Sequence, residues 1–180
     1  MSNEDKENKS AGSEILSWVK TIVFAILIAL AINNFVIVNA TVPTGSMENT
    51  IMPHDRIVAL RLTYYFSSPK RGDIVVFKYP DDESTLYVKR VIGLPGETVE
   101  VKDGKVYING SDTPLDDSFI KEKAVGDFGP YQVPEDCYFM MGDNRNNSLD
   151  SRFWVNKFVK RDKILGKVYF KYFKGFEILK

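Results

Sequence analysis

Residues 21 to 38, TIVFAILIALAINNFVIV, carry no charged side chain. A run this apolar is costly to leave on the surface of a water-soluble domain, so it constrains the rest of the chain. Trp18 to Val38 is 21 residues, and a helix of that length spans about 31 Å, close to a bilayer core of about 30 Å. Trp18 and Lys20 sit at one end, where an indole ring and a snorkelling ammonium suit the interface. Asn33 and Asn34 lie near the other end, where headgroups or protein can satisfy their amides. Two other readings compete. A buried soluble helix fits poorly beside so polar a tail, and a cleaved secretory signal, for which Val38-Asn39-Ala40 supplies small residues, normally has an apolar stretch of only about 7 to 15 residues after a basic start. The expectation is therefore a polar tail over 1–17, a transmembrane helix over 18–38 and a globular body over 39–180. Lys6, Lys9 and Lys20 precede the helix and only Arg56 follows closely, so the tail is expected in the cytoplasm and the body outside.

Charge and ligand chemistry narrow the function. The 24 basic and 24 acidic side chains cancel, whereas a nucleic-acid binder normally shows a basic excess, so no nucleic-acid partner is expected. Three lysines meet four acids in the first 20 residues, which leaves the body after the uncharged run at plus one. One Cys (Cys137) and one His (His54) cannot form an internal disulfide or a zinc site of the Cys/His type. No metal and no cofactor are expected.

Beyond residue 40 the apolar residues fall in short β-rich runs at 56–62, 73–79, 86–92, 97–101, 105–108, 137–141 and 164–173. Pro95-Gly96 and Asp103-Gly104 punctuate them, and Asp-Gly readily takes the positive φ angles of a hairpin turn. The body is expected to be mainly antiparallel β, as a barrel or packed sheets, with residues 109–136 as a long exposed excursion.

With no metal or cofactor motif, chemistry must come from side chains. Ser46 stands in the turn Pro43-Thr44-Gly45-Ser46-Met47, though most serines in such turns only cap or turn. A serine attacks only if a neighbour takes its proton. His54, in the surface-like Met52-Pro53-His54-Asp55, is the sole candidate for a histidine triad and fits it poorly. A lysine can serve if burial brings its pKa down from about 10.4. Lys89 interrupts the apolar strand Leu86-Tyr87-Val88-Lys89-Arg90-Val91-Ile92 and shares a face with Tyr87 and Val91. From that strand alone, a lysine snorkelling from a sheet edge is an equally good account, and Arg90 does not deprotonate. Finally, Gly142 to Arg152, GDNRNNSLDSR, holds two Asp, two Arg and three Asn directly after the apolar run CYFMM. That density suits an ion-pair and Asx-turn network propped on the core, or a solvated loop.

Together, the apolar rod, PTGSM, GDIVVF, KRVIGLPGE and GDNRNNSLDSR resemble the bacterial type I signal peptidases, in order and spacing, from about residue 15 to the C-terminus. These are membrane-bound serine endopeptidases with a Ser/Lys dyad that remove N-terminal signal peptides from exported proteins. The resemblance implies an antiparallel β-barrel-like catalytic domain after a single membrane helix, with preproteins and the lipid bilayer as partners. It implies Ser46 as nucleophile, Lys89 as general base, and Thr44 with the Ser46 N–H as oxyanion hole. Ser148 matches the serine that hydrogen-bonds and orients the lysine, while Asp143, Arg145, Asp150 and Arg152 match residues that shape the site through salt bridges. Val42, Met47, Ile51, Tyr87 and Val88 would line shallow pockets for small substrate residues, the substrate adding a strand between 38–42 and 86–88. The chain departs from the commonest pattern at Asn146, Glu97 and His54, the last standing where Gly is common. Two rival functions are a self-cleaving Ser/Lys repressor, whose DNA-binding module the 38 leading residues lack, and a tethered β-domain that binds exported chains without cutting them.

Overall fold

A computed structural model describes residues 11–173 and 175–179; the tail residues 1–10 lie outside them. It divides into two units, Met1–Val36 and Ile37–Lys180. In the first, helix α1 spans Ala11–Ala31 and continues as one π-helical turn over Ile32–Val36. Gly12–Val36 has a mean hydropathy of 2.5, and none of its most apolar window is buried. A helix apolar all round with no protein covering it needs lipid or a partner. The helix starts before Trp18 and stops before Ile37, so of the expected span 18–38 only Ile37 and Val38 lie outside it. At its C-terminal end the reason is strand pairing: Ile37 and Val38 pair with Leu60 and Ala59 instead of continuing the helix.

The second unit is antiparallel β. Its strands are β1 (Ile37–Thr41), β2 (Arg56–Leu60), β3 (Ile74–Tyr79), β4 (Asp82–Gly93), β5 (Thr98–Lys102), β6 (Lys105–Ile108), β7 (Phe128–Gln132), β8 (Cys137–Met141), β9 (Val159–Lys160), β10 (Ile164–Lys171) and β11 (Glu177–Ile178). The larger sheet runs β1-β2-β10-β3-β4-β8-β9, with β11 on β10, and the smaller runs β6-β5-β7. The β5–β6 hairpin turns at Asp103 and Gly104, with φ of 50° and 73°. The excursion 109–136 is not wholly irregular, because Phe128–Gln132 pairs with β5.

Period-two alternation distributes the core. Ile74 and Val76 of β3 enter one apolar cluster with Met47, Ile51 and Ile57, while Val75 and Phe77 enter a second with Val91, Met140 and Trp154. Tyr138 and Met140 of β8 face that second cluster, and Phe139 and Met141 face a third with Val99, Val101 and Val106. The runs IVVF and CYFMM are apolar throughout because both faces of those strands are covered.

His54 accounts for one departure from the pattern. Its N–H donates to the Val42 carbonyl at 2.7 Å, closing the loop that carries Ser46, and its φ is +70°. That region disfavours a residue with a Cβ. His54→Gly is expected to stabilise the domain by about 1 kcal/mol, raising the Tm of the detergent-solubilised protein by about 2–4 °C. A lower Tm would show that the imidazole makes a compensating contact.

Candidate active site

The loop after β1 delivers Ser46. The Thr50 and Ile51 N–H groups both donate to the Met47 carbonyl, at 3.1 and 2.8 Å, so the chain makes one helical turn. Residues four apart then share a face, which sends Met47 and Ile51 into the core, both fully buried. They were expected to line the substrate pockets; instead they lie beneath the cleft in the cluster with Val42.

Strand β4 delivers Lys89, which is 3% exposed. Its Nζ lies 2.7 Å from Ser46 Oγ and 3.2 Å from the Val88 carbonyl oxygen, with the Tyr87 ring centroid 5.1 Å away. Burial brings its pKa down to about 8, against the smaller upward pull of Asp150 and Asp143. The snorkelling alternative is excluded, since the amine points into the protein and not along a sheet edge. His54 is exposed and makes no part of this pair.

Ser46 and Lys89 open into a cleft of about 790 Å³ whose walls include Ala40, Val42, Thr44, Leu86, Tyr87, Val88, Ser148, Leu149 and Phe153. Of the residues expected to meet substrate, Val42, Tyr87 and Val88 are therefore present there. The Thr44 hydroxyl donates to Ser46 Oγ at 3.4 Å. Ser148 also lines the cleft, but the expected hydrogen bond to Lys89 is absent. Among the described residues its buried Oγ has no hydrogen-bond partner, and the lysine is directed to Ser46 and Val88 instead.

The loop after β8 is a buried ion-pair network and not a solvated surface. Asp143 is fully buried and takes a two-pronged contact from Arg90, with Nε–Oδ1 at 2.8 Å and Nη2–Oδ2 at 2.7 Å, and a third hydrogen bond from Thr50 at 2.6 Å. Arg145 forks onto Asp117 at 2.8 and 2.9 Å. Asp150 pairs with Arg152 at 2.8 Å and accepts the Gly142 N–H at 3.0 Å. Gly142 is obligatory: a Cβ there would collide with the Ser46 carbonyl oxygen and with Ser148. Closing the seam, the Asn144 N–H donates to that same Ser46 carbonyl at 3.1 Å.

Sequence reasoning missed Arg90, Thr50 and Asp117. The partner of Arg90 lies 53 residues away, and no local pattern announces that pairing. The remaining departures sit at the periphery. Glu97 pairs with Arg71, and exposed Asn146 ties the Lys123 carbonyl and the Val125 N–H to the loop.

An ammonium held at 3% exposure destabilises the fold. The folded-state pKa near 8 lies below the free value of 10.5. The unfolded chain therefore binds the extra proton between those two values, and stability rises with pH across that window. Lys89→Met should raise stability by up to about 3 kcal/mol at pH 7, with the gain shrinking as pH approaches 10. Denaturant titrations at pH 7 and pH 10 check this, and a gain that does not depend on pH would contradict it.

The model of the family "Signal peptidase, peptidase S26" matches residues 15–173. A signal peptidase I of Bacillus amyloliquefaciens is 42% identical over 98% of this chain and 97% of its own. Signal peptidase I S of Bacillus subtilis is 41% identical over 86% and 88%. A signal peptidase I crystal structure from Enterococcus faecalis, 36% identical, covers 56% of this chain and 97% of that one, with a TM-score of 0.49. By the family match and by identity over nearly its whole length, the chain belongs to the signal peptidase I family of serine endopeptidases, peptidase S26.

Proposed function

We propose that this chain is a single-pass membrane endopeptidase that removes signal peptides from exported preproteins through Ser46 and Lys89. The observation that carries this reading is the 2.7 Å contact between Ser46 Oγ and a lysine amine almost wholly removed from water. Neutral Lys89 takes the hydroxyl proton as Ser46 Oγ attacks the scissile carbonyl. The oxyanion is met by the Ser46 N–H and the Thr44 hydroxyl. The lysinium then protonates the leaving amine, which departs and leaves an acyl-enzyme. Neutral Lys89 next deprotonates the water that hydrolyses the ester, and Ser46 recovers its proton. Asp143, Arg145, Asp150 and Arg152 do no chemistry in this scheme and hold the frame.

The substrate enters as an extended strand. β1 is the end strand of its sheet, and β8 pairs with β4 only from Arg90 to Gly93, which leaves the edge around Leu86 to Val88 open to the cleft. Small residues before the scissile bond fit between Val42, Tyr87 and Val88, with Met47 and Ile51 setting the depth from beneath. The helix unit anchors the chain in the cell membrane, with residues 1–17 in the cytoplasm and the β unit outside, where exported chains emerge. The body's charges nearly balance, and this reading includes no nucleic-acid partner.

Ser46→Ala and Lys89→Ala are each expected to abolish shortening of a signal-bearing precursor by the detergent-solubilised protein. A shortened product from either variant would sink the dyad, and precursor binding without cutting by the unaltered protein would favour the tethered binding module. The wild-type rate should fall about tenfold per pH unit below a pH near 8 as Lys89 takes up a proton. Thr44→Val removes one oxyanion donor and should lower kcat by about 10²- to 10³-fold, short of the loss in Ser46→Ala.

A further inference from the structure

Residues 117–125 belong to the excursion that connects β6 to β7, yet they are pinned to all three segments that build the site. On the nucleophile side, the Asn49 side-chain amide donates to the Phe119 carbonyl at 3.0 Å, and Lys121 Nζ pairs with Glu48 at 2.6 Å. On the polar loop, the Lys121 N–H donates to the Asp143 carbonyl at 3.2 Å, Glu122 bridges to Asn144, and Asp117 holds Arg145. On the lysine strand, the Phe119 ring lies 4.0 Å from the guanidinium carbon of Arg90, the residue next to Lys89, and 6.0 Å from that of Arg145. None of these excursion residues is among those that line the cleft.

We propose that segment 117–125 is a strap that fixes the distance between Ser46 and Lys89, with Phe119 as its central positioning residue. Within the strap, Phe119 reaches both halves of the dyad: its carbonyl holds the Ser46 turn through Asn49, and its ring covers the arginine beside Lys89. The ring also shields the Arg90–Asp143 pair from water, which keeps that pair a fixed geometric reference. Arg90 Nη1 is in turn anchored on the Gly72 carbonyl at 2.8 Å, so the strap braces against the body of the larger sheet. An attack distance is sensitive at the ångström level, and losing such a brace acts on turnover more than on substrate affinity. The proposal rests on the Ser46/Lys89 reading and extends it to residues outside the cleft.

The test measures kcat and KM separately for Phe119→Ala, Phe119→Tyr and Lys121→Ala, with Ser46→Ala as the reference for complete loss. Phe119→Ala is expected to lower kcat by about 10- to 100-fold with KM changed less than about threefold. Phe119→Tyr, which keeps ring and carbonyl, should restore kcat to within about threefold of the unaltered protein. Lys121→Ala removes one exposed contact on the nucleophile side and should lower kcat by a smaller factor, again at constant KM. If Phe119→Ala fails to fold, Lys121→Ala and Phe119→Tyr decide alone: kcat lowered in the first at constant KM and kept in the second supports the strap. Unchanged kcat in Phe119→Ala or in Lys121→Ala, or a change carried by KM, overturns the strap while Ser46→Ala remains inactive. An active Ser46→Ala would instead overturn the dyad itself.

Discussion

A lysine amine held out of water beside a serine hydroxyl is the constraint on which the rest of the site depends. Burial is what lowers the pKa of Lys89, and burial of an ammonium is unfavourable. The fold must therefore supply apolar walls around Lys89 and a scaffold rigid enough to keep it at 2.7 Å from Ser46. Strand β4 meets the first demand. It is exposed from Asp82 to Leu86, lines the cleft from Thr85 to Lys89, and is buried from Lys89 to Gly93.

The second demand is met with charge. Asp143, Arg145, Asp150 and Arg152 are all buried, and each finds a partner of opposite sign. Buried ion pairs are poor sources of stability, and their value here is direction: planar forks fix two groups at once in distance and orientation. Arg90–Asp143 ties the strand of Lys89 to the polar loop, and Thr50–Asp143 ties that loop to the turn of Ser46. Pairing also neutralises two carboxylates whose fields would otherwise raise the lysine pKa further. The strap over 117–125 adds a third set of ties on the outside of the same junction.

Much of this was legible in the chain. The uncharged run, the β-rich segments at Lys105–Ile108 and Cys137–Met141 and the Asp103-Gly104 turn follow from hydropathy, period-two patterning and turn chemistry, all local in sequence. Lys89 stands out as a charge inside an apolar strand, whereas Ser46 sits in an ordinary-looking turn, and it is the family motifs around both that mark them as a pair. Short or interrupted strands such as β7, β9 and β11 were not legible, since their pairing depends on partners far along the chain. Met47 and Ile51 misled for a related reason. The family resemblance implied them as pocket wall, but one helical turn puts them on the inward face.

What the sequence determined by itself is the division into an uncharged helix and a β-rich body, the supply of a hydroxyl and an amine, and the motifs that mark the family. What only the tertiary structure decided is which charges meet. Arg90 with Asp143, Arg145 with Asp117, the strap on the Ser46 turn and the unpartnered hydroxyl of Ser148 are all long-range outcomes. Hydrophobic pattern is written in the order of residues because burial is a property of one residue at a time. Pairing is a property of two residues brought together, and only the folded sheet sets which two.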